Sequence, residues 1–296
     1  MYSNNSGKTF KSVNTYDFST LYTSIPHQQL KYNLSEFVDR VFAFKEKFYI
    51  IPNFNNTGTF TDKKVCFTKD VIECLYFLID NSFVVYRNVV YRQVIGIHMG
   101  TNSGPQIANV YLHAYEYRYI QSLITNGDED SLKKLKNIFR YQDDLISFND
   151  GGLLGTLLSS IYPQEMIINS TNISPRKCHY LDLSISIYRG KFVVSLYDKR
   201  KDYTFDVISY PFLDGNIPSA LSYGVFTAQL VRFANVNSTF KGFKSDVNGL
   251  ILKLVCQGFN LAALRKKFLK FYDCKLNVWS KYGIDIYDDI IKMFNP

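Results

Sequence analysis

The stretch IFRYQDDLISF, residues 138–148, sets two adjacent acids, Asp143 and Asp144, between two apolar runs. Ile, Phe and Tyr favour strands and Asp tolerates turn geometry, so the stretch predicts a β-hairpin with both carboxylates at its tip. Carboxylates about 4 Å apart repel by roughly 4 kcal/mol at an effective dielectric constant near 20, so keeping both ionised requires a cation. Oxygen-only ligands favour Mg²⁺ or Mn²⁺. An ordinary solvated turn has the same pattern, and the rest of the chain must distinguish the two interpretations.

The composition indicates a folded protein with a basic surface. Of the 296 residues, 46% are hydrophobic and 20% are charged, and the net charge is +8 with a pI near 9.0. A chain of this length buries a large core, in one unit or two associated subdomains. A basic surface favours a polyanionic partner such as nucleic acid. AT-rich coding also produces an excess of Lys, Asn, Ile, Tyr and Phe, so the charge supports this interpretation without deciding it.

The cysteines and the apolar runs bear on where the protein works. The five cysteines form no CxxC pair, which predicts reduced thiols. Cys178-His179 has no second pair at zinc-finger spacing, so we interpret both as residues beside a strand. No signal peptide is recognisable, and no stretch reaches the ~20 apolar residues that span a bilayer. We expect an intracellular protein, nuclear or cytoplasmic, that does not enter a membrane.

The hydrophobic pattern predicts strands and helices in blocks. Expected strands cover residues 10–18, 84–86, 89–91, 180–187 and 191–197, expected helices cover residues 28–44, 69–81, 106–124, 219–233 and 247–276, and a polar loop is expected at residues 53–62. This order differs from strict βαβ alternation. It predicts an α+β fold, with an antiparallel sheet covered by helices on one side and a mostly helical end.

Three motifs occur in the order found in reverse transcriptases, and each resembles its counterpart there. They are TYDFSTLYTSIP at residues 15–26, GIHMGTNSGPQIAN at residues 96–109 and RYQDD at residues 140–144. Weaker matches follow at residues 180–185, 197–202 and 216–218. The first motif is most similar to the form found in Penelope-like retroelements. The resemblance covers nearly the whole chain, and three ordered motifs are far more specific than one.

The resemblance implies nucleotidyl transfer with two metal ions. Asp17 and Asp143 would bridge two Mg²⁺ ions, or Mn²⁺ in their place, with Asp144 beside them and the backbone carbonyl of Phe18 as a further ligand. The 3′-hydroxyl of a primer would then attack the α-phosphate of a dNTP. Taken alone, Asp17 could instead be an acid near a helix N-terminus.

The resemblance also implies a nucleotide-binding pocket. Tyr22 would lie beneath the incoming sugar and exclude a 2′-hydroxyl, although a chain with 23 tyrosines could equally place it in the core. Met99 and Gly100 would lie in a loop whose backbone approaches the template and the incoming base. Asn102 stands where the family has a proline and Gly104 where it has a serine, which puts the fine contacts of the loop in doubt.

Two basic segments are candidates for binding an RNA template and a DNA primer. They are Lys199, Arg200 and Lys201, and, on the last predicted helix, Arg265, Lys266, Lys267 and Lys270. An amphipathic helix normally has a solvated charged face, so a role in solubility alone is an open alternative for the second segment.

The resemblance predicts a palm over residues 1–202 and a helical thumb over residues 203–296, with the fingers largely missing because sixteen residues precede Asp17. We therefore expect a fragment or a reduced element. No GIY-YIG nuclease motif, common in Penelope-like proteins, occurs before Pro296. The predicted function is the RNA-directed DNA polymerase core of a retroelement. An inactive nucleic-acid-binding remnant is the first alternative, and an RNA-copying RNA polymerase is disfavoured by Tyr22 and by Tyr141-Gln142.

Overall fold

The computed structural model describes residues 9–43, 47–50, 64–205, 207–274, 279–282 and 287–294. By internal contacts the chain divides into a central unit, Tyr16–Ser170, and a terminal unit, which comprises Met1–Thr15 and Thr171–Pro296. The polar loop predicted at residues 53–62 lies outside the described residues. In the part of the chain that is described, no helix is both long and apolar enough to cross a membrane.

Residues 13–170 alternate short strands with helices. In chain order these are β1 (Val13–Phe18), α1 (Leu21–Ser24), α2 (His27–Val41), β2 (Lys47–Ile50), β3 (Lys64–Phe67), α3 (Thr68–Asp80), β4 (Phe83–Tyr86), β5 (Val89–Arg92), α4 (Gly104–Thr125), α5 (Glu129–Leu135), β6 (Ile138–Tyr141), β7 (Asp144–Phe148), α6 (Leu153–Ile161) and β8 (Ile168–Ser170). The predicted helices 28–44, 69–81 and 106–124 are confirmed as α2, α3 and α4. The hairpins predicted at residues 84–91 and 138–148 are confirmed as β4-β5 and β6-β7.

A four-stranded sheet, in the order β6-β7-β1-β8, lies at the centre of the central unit. β1 pairs with β8 in antiparallel register, with Asp17 opposite Asn169. Phe18 on β1 and Leu145 on β7 are buried in one hydrophobic core, to which α4 contributes Tyr111. Because these apolar side chains share a core, the end of β1 and the start of β7 are held side by side.

The terminal unit joins a small sheet to a helical bundle. Its elements are β9 (Lys177–Tyr180), β10 (Leu183–Tyr188), β11 (Lys191–Leu196), a 3₁₀ turn (Lys199–Asp202), α7 (Ser219–Val236), α8 (Phe240–Cys256), α9 (Leu261–Cys274), α10 (Tyr287–Ile291) and two more 3₁₀ turns, Ser280–Tyr282 and Lys292–Phe294. The three strands form an antiparallel sheet in the order β11-β10-β9.

Two sequence predictions in this unit are wrong in their limits. The strand predicted over residues 180–187 is two strands, because Leu181 has a φ of 54° and turns the chain between β9 and β10. The helix predicted over residues 247–276 is likewise interrupted between α8 and α9, where Gly258 has a φ of 88°. A positive φ ends both a strand and a right-handed helix.

The core of the terminal unit is aromatic. Phe243 on α8 is fully buried, and the rings of Phe268 and Trp279 lie 6.5 and 5.4 Å from its ring. Both α7 and α8 also contact β11. Because the sheet of β9–β11 packs with these helices, the division between the two units falls at residues 170 and 171, whereas the sequence analysis divided palm from thumb at residue 202. The assignment of a palm and a thumb stays a prediction.

Candidate active site

The predicted hairpin places its two acids in different positions. β6 and β7 are joined by a turn at Gln142 and Asp143, in which Gln142 has a φ of 54°. Tyr141 pairs with Asp144, so Asp144 is the first residue of β7 while Asp143 belongs to the turn. Both aspartates are partly exposed. The tip of the hairpin therefore offers the carboxylate of Asp143 on a turn and that of Asp144 on a strand.

The structure brings the end of β1 to this turn. The N–H of Phe18 donates to the carbonyl oxygen of Asp143 at 3.1 Å. The side chain of Phe18 is buried, and that of Asp17, one residue earlier on the strand, points to the opposite face. The hydroxyl of Ser19 donates to Oδ2 of Asp17 at 3.3 Å, and Nδ2 of Asn169 on β8 donates to that hydroxyl at 2.7 Å. Asp17 and Asp143 thus lie at adjoining chain segments.

Tyr22 lies close to the same turn. Burial and the negative charge of Asp143 together raise the pKa of Tyr22, which means that its phenol lies within the electrostatic range of that carboxylate. The ring also packs against the core of the central unit. Tyr22 therefore contacts the core, as one of its two interpretations requires, and its role beneath the sugar of a nucleotide stays a prediction.

The glycine-rich loop before α4 is fastened to the chain around Tyr22. The carbonyl of Tyr22 accepts from the N–H of Ile97 at 2.7 Å, and the N–H of Gly96 donates to the carbonyl of Ile25 at 2.8 Å. Gly96 has a φ of 81°, and a Cβ there would lie 2.3 Å from the carbonyl oxygen of Tyr22. No other residue type fits this close approach without strain.

Met99 and Gly100 follow this anchored point by a few residues. The side chain of Met99 is 66% exposed. The N–H of Gly100 donates to Nδ1 of His98 at 3.0 Å, and the carbonyl of His98 accepts from the hydroxyl of Thr101 at 3.1 Å. These bonds give the loop a defined conformation with Met99 projecting into solvent. Its predicted contact with a nucleotide stays a prediction.

A single guanidinium connects the hairpin to α4. Nε and Nη2 of Arg140 donate to the two carboxylate oxygens of Glu116, at 2.5 and 3.1 Å. Nη1 donates to the side-chain oxygen of Asn109 at 2.6 Å and to the carbonyl of Gln142 at 3.0 Å. The hydroxyl of Tyr162 donates to Glu116 at 2.7 Å. Arg140 therefore binds its own turn and two residues of α4, Asn109 and Glu116, that lie two helical turns apart.

The protonation states of Arg140 and Tyr162 are fixed over the physiological pH range. Burial disfavours the charged form of Arg140, but the hydrogen bonds and charge of Glu116 outweigh it and raise the pKa of Arg140. Burial and the charge of Glu116 raise the pKa of Tyr162 well above its usual value. Arg140 therefore stays charged and Tyr162 stays neutral, so this support of the hairpin does not change with pH near neutrality.

The predicted metal ligands are Asp17, Phe18, Asp143 and Asp144. Among the described residues, no three side chains of His, Cys, Asp or Glu are gathered in a group that could hold a metal ion. The structure thus brings Asp17 and Phe18 to Asp143 without forming a closed three-ligand cluster. Mg²⁺ is commonly bound by one or two carboxylates together with substrate phosphates, and the two adjoining acids fit that kind of site.

The predicted nucleic-acid-binding residues all belong to the terminal unit. Lys199, Arg200 and Lys201 form the 3₁₀ turn, where Nε of Arg200 binds Oδ1 of Asp198 at 2.7 Å. On α9 the basic residues are exposed while Leu264 and Phe268 are buried, as the sequence predicts. The residues of the turn line a common cleft, but the basic residues of α9 do not line it.

Several residues of the site were not predicted from the sequence. Arg140 and Asn109 lie within two of the quoted motifs, so the motifs could have identified both residues as part of the site. Asn169 lies on β8, which is three residues long and has no alternating pattern to reveal it. Glu116 and Tyr162 bind Arg140 from separate segments, and no local pattern in the sequence indicates that contact.

The sequence has no match among protein-family models and none among curated proteins. Its fold is similar to that of telomerase from Candida albicans, solved in complex with a TWJ fragment of telomeric RNA. The identity is 14% and the TM-score is 0.59, over 97% of this chain and 48% of that one. Telomerase from Candida tropicalis, with the corresponding RNA fragment, gives 13% identity and a TM-score of 0.45, over 92% of this chain and 41% of that one.

The Candida albicans similarity shows a reverse-transcriptase-like fold, of mixed antiparallel sheets and helices, as the sequence analysis predicted. The TM-score of 0.45 for the Candida tropicalis structure is too low to support a conclusion about the fold. The chain spans about half the length of the Candida albicans telomerase that it matches. At this level of identity the similarity concerns the fold alone.

Replacing Glu116 with alanine should destabilise the central unit. The change leaves the guanidinium of Arg140, whose side chain is 12% exposed, without its charged partner, and breaking a buried pair in this way costs about 3 kcal/mol. Glu129→Ala is the control, because it removes an ion pair with Lys133 that is largely exposed and is worth less than about 1 kcal/mol. Urea denaturation followed by circular dichroism measures the free energy of unfolding of both variants. Equal losses of unfolding free energy in the two variants would contradict the structural role of Glu116.

Replacing Gly96 with alanine should also destabilise the protein, because the new Cβ would collide with the carbonyl of Tyr22. Gly127→Ala is a matched control, since Gly127 also has a positive φ, of 71°, but no atom lies within 4 Å of the position of its Cβ. Both variants carry the backbone strain of about 1 kcal/mol, and only Gly96→Ala adds a steric clash. A loss of unfolding free energy no larger than that of Gly127→Ala would show that the loop is not packed on Tyr22.

Proposed function

We propose that this protein is the RNA-directed DNA polymerase core of a retroelement, most similar to Penelope-like reverse transcriptases. It would extend a primer with dNTPs by nucleotidyl transfer that uses two metal ions. The observation that carries this proposal is the backbone hydrogen bond from Phe18 to Asp143, because it places the residue that follows Asp17 beside Asp143 within a reverse-transcriptase-like fold. Two acids that approach from separate motifs are what the chemistry requires.

Each side chain has a defined part in this proposal. Asp17 and Asp143 would hold Mg²⁺, or Mn²⁺ in its place, with the carbonyl of Phe18 as a further ligand and Asp144 beside them. When bound, the metal ions activate the 3′-hydroxyl of the primer and stabilise the leaving pyrophosphate. Ser19 orients the carboxylate of Asp17 through its hydrogen bond. Such supporting bonds fix the direction in which a metal ligand points.

Tyr22, Met99 and Gly100 form the proposed nucleotide pocket. The ring of Tyr22 excludes a 2′-hydroxyl from the sugar, which selects dNTPs over ribonucleotides. Gly96 fixes the start of the loop against Tyr22, which sets the position from which Met99 and Gly100 approach the base.

The partners proposed for the protein are an RNA template and a DNA primer. The similar telomerase from Candida albicans was solved with an RNA fragment, which supports an RNA partner here. The net charge of +8 and the basic residues of the 3₁₀ turn and of α9 support binding to phosphate backbones. We propose that the protein acts inside the cell.

An inactive nucleic-acid-binding remnant is the second candidate. It is favoured by the exposed basic residues of α9, which could bind phosphates whether or not the acids are catalytic. Primer extension distinguishes the two candidates, because a remnant would bind nucleic acid without adding nucleotides.

Replacing Asp143 with asparagine should abolish most primer extension while leaving the fold intact. The amide keeps the shape of the side chain but removes the negative charge that holds Mg²⁺, and a loss of about 1,000-fold in rate corresponds to about 4 kcal/mol of transition-state stabilisation. The assay is dNTP incorporation on an RNA template with a DNA primer and Mg²⁺. We expect the same direction of change for Asp17→Asn and Asp144→Asn.

Asp130→Asn is the matched control for these variants, because Asp130 is an exposed acid on α5 and the substitution makes the same change in charge. It should extend primers at the unchanged rate. Activity that survives Asp143→Asn would refute the assignment of the metal site. Folded wild-type protein that incorporates no nucleotide under any condition would favour the remnant.

Replacing Tyr22 with alanine should raise ribonucleotide incorporation relative to dNTP incorporation, because it opens the space beneath the sugar. Tyr22→Phe is the control, since it keeps the ring and should keep the selectivity. The measurement compares kcat/KM for dNTP and ribonucleotide in both variants. A folded Tyr22→Ala protein with unchanged selectivity would show that Tyr22 serves only the core.

A further inference from the structure

A second cleft in the terminal unit has exposed aromatic side chains to which the proposed polymerase function gives no part. It has a volume of about 710 Å³ and lies between the chain after the 3₁₀ turn and the C-terminal part of α8. Its volume falls within the range of about 300 to 1,000 Å³ that is typical of ligand sites. We call it the aromatic cleft, after four of the residues that line it, which are Tyr203, Phe205, Tyr210 and Phe212.

Three of these four rings are unusually exposed. The exposed fractions are 52% for Tyr203, 64% for Phe205 and 47% for Phe212. The rings of Tyr203 and Phe205 lie side by side, with centroids 5.3 Å apart and an angle of 32° between their planes. Neighbouring apolar rings on a surface indicate an interaction site, and the faces of such rings are suited to stacking with other planar groups.

The aromatic cleft is also basic. Arg200, Lys201 and Lys253 line it, and no described Asp or Glu residue does. Arg200 is held by Asp198, whereas the side chains of Lys201 and Lys253 are exposed. A neighbouring cleft of about 370 Å³ shares these three basic residues and Tyr210. The smaller cleft is also lined by Asp182, Asp198 and Asp246, so the aromatic cleft is the one of the two that has cations without a described acid in its lining.

One wall of the aromatic cleft, the segment from Tyr210 to Leu213, is bonded to the end of α8. The N–H of Leu213 donates to the carbonyl of Gln257 at 3.0 Å, and Nε2 of Gln257 donates to the carbonyl of Tyr210 at 2.9 Å. The guanidinium of Arg200 lies 5.8 Å from the ring of Tyr210. A wall that is already in place does not have to be ordered when a ligand binds, which lowers the entropic cost of binding.

We propose that the aromatic cleft binds single-stranded nucleic acid. Bases stack on Tyr203 and Phe205, and phosphates bind Lys201 and Lys253. Stacking platforms combined with a positive groove are the usual means of holding a single strand without base specificity. A duplex is a poor ligand for these rings because its bases already stack on one another. Single-stranded RNA and DNA share the required chemistry, and the inference does not depend on polymerase activity in the central unit.

Fluorescence anisotropy of the full chain tests this proposal with labelled strands of twelve nucleotides. The probes are oligo-dT, oligo-rU and an abasic strand that has the same phosphates but no bases. We expect oligo-dT and oligo-rU to bind about tenfold or more tightly than the abasic strand, because only they can stack. The two homopolymers show whether the cleft prefers DNA or RNA.

Variants assign the binding to the cleft. Tyr203→Ala combined with Phe205→Ala should weaken oligo-dT about tenfold and leave the abasic strand unchanged. Lys201→Ala and Lys253→Ala should weaken both strands, and each should lower the slope of log K against log salt concentration by about 0.7. Tyr86→Ala and Lys133→Ala are matched controls, because they remove an exposed ring and an exposed ammonium from the central unit.

The same binding measurements can also contradict the proposal. Equal affinity for the oligo-dT and abasic strands, or unchanged affinity in the Tyr203 and Phe205 double variant, would overturn the proposal. Competition by polyglutamate as strong as that by oligo-dT would indicate an acidic peptide as the partner instead. Asp143→Asn should bind oligo-dT as the wild type does, so a failure of the polymerase proposal and a failure of this one can be told apart. Circular dichroism confirms that each variant is folded.

Discussion

The ion pair between Arg140 and Glu116 is the constraint on which the arrangement of the candidate active site depends. Removing a guanidinium and a carboxylate from water is costly, and the cost is offset only where the remaining donors and acceptors are bonded. Here the guanidinium also binds Asn109 and the carbonyl of Gln142, while Tyr162 donates to Glu116. One side chain therefore fixes the turn that carries Asp143 relative to α4.

The same network explains why the hairpin can keep an acid at a turn with a positive φ. Gln142 is strained at a φ of 54°, and such conformations persist only where the surroundings hold them. Arg140 donates to the carbonyl of Gln142, and the N–H of Phe18 donates to the carbonyl of the next residue, Asp143. Two successive peptide groups of the turn are thus held by two different segments of the chain. A loop on its own would not position a carboxylate so narrowly.

A structural feature of this protein could be predicted from the sequence where its contacts join residues that are close along the chain. The helices α2, α3 and α4 and the hairpin at Asp143 follow from local periodicity and turn chemistry, so they could be predicted. The break at Leu181 could not, because a non-glycine residue with positive φ has no reliable local signal. The pairing of Arg140 with Glu116 could not either, since it is a tertiary contact between a strand and a helix. The resemblance to reverse transcriptases identified the acids but not the groups that hold them.

The distribution of charge shows a further limit of reasoning from composition. A net charge of +8 indicates a polyanionic partner but does not say where it binds. In the structure, Arg140 is committed to an internal ion pair and Arg200 to Asp198, so neither is a simple surface charge. Lys201 and Lys253 are exposed and lie beside exposed aromatic rings. It is this juxtaposition, rather than the total charge, that distinguishes a surface able to hold bases as well as phosphates from one that is merely basic.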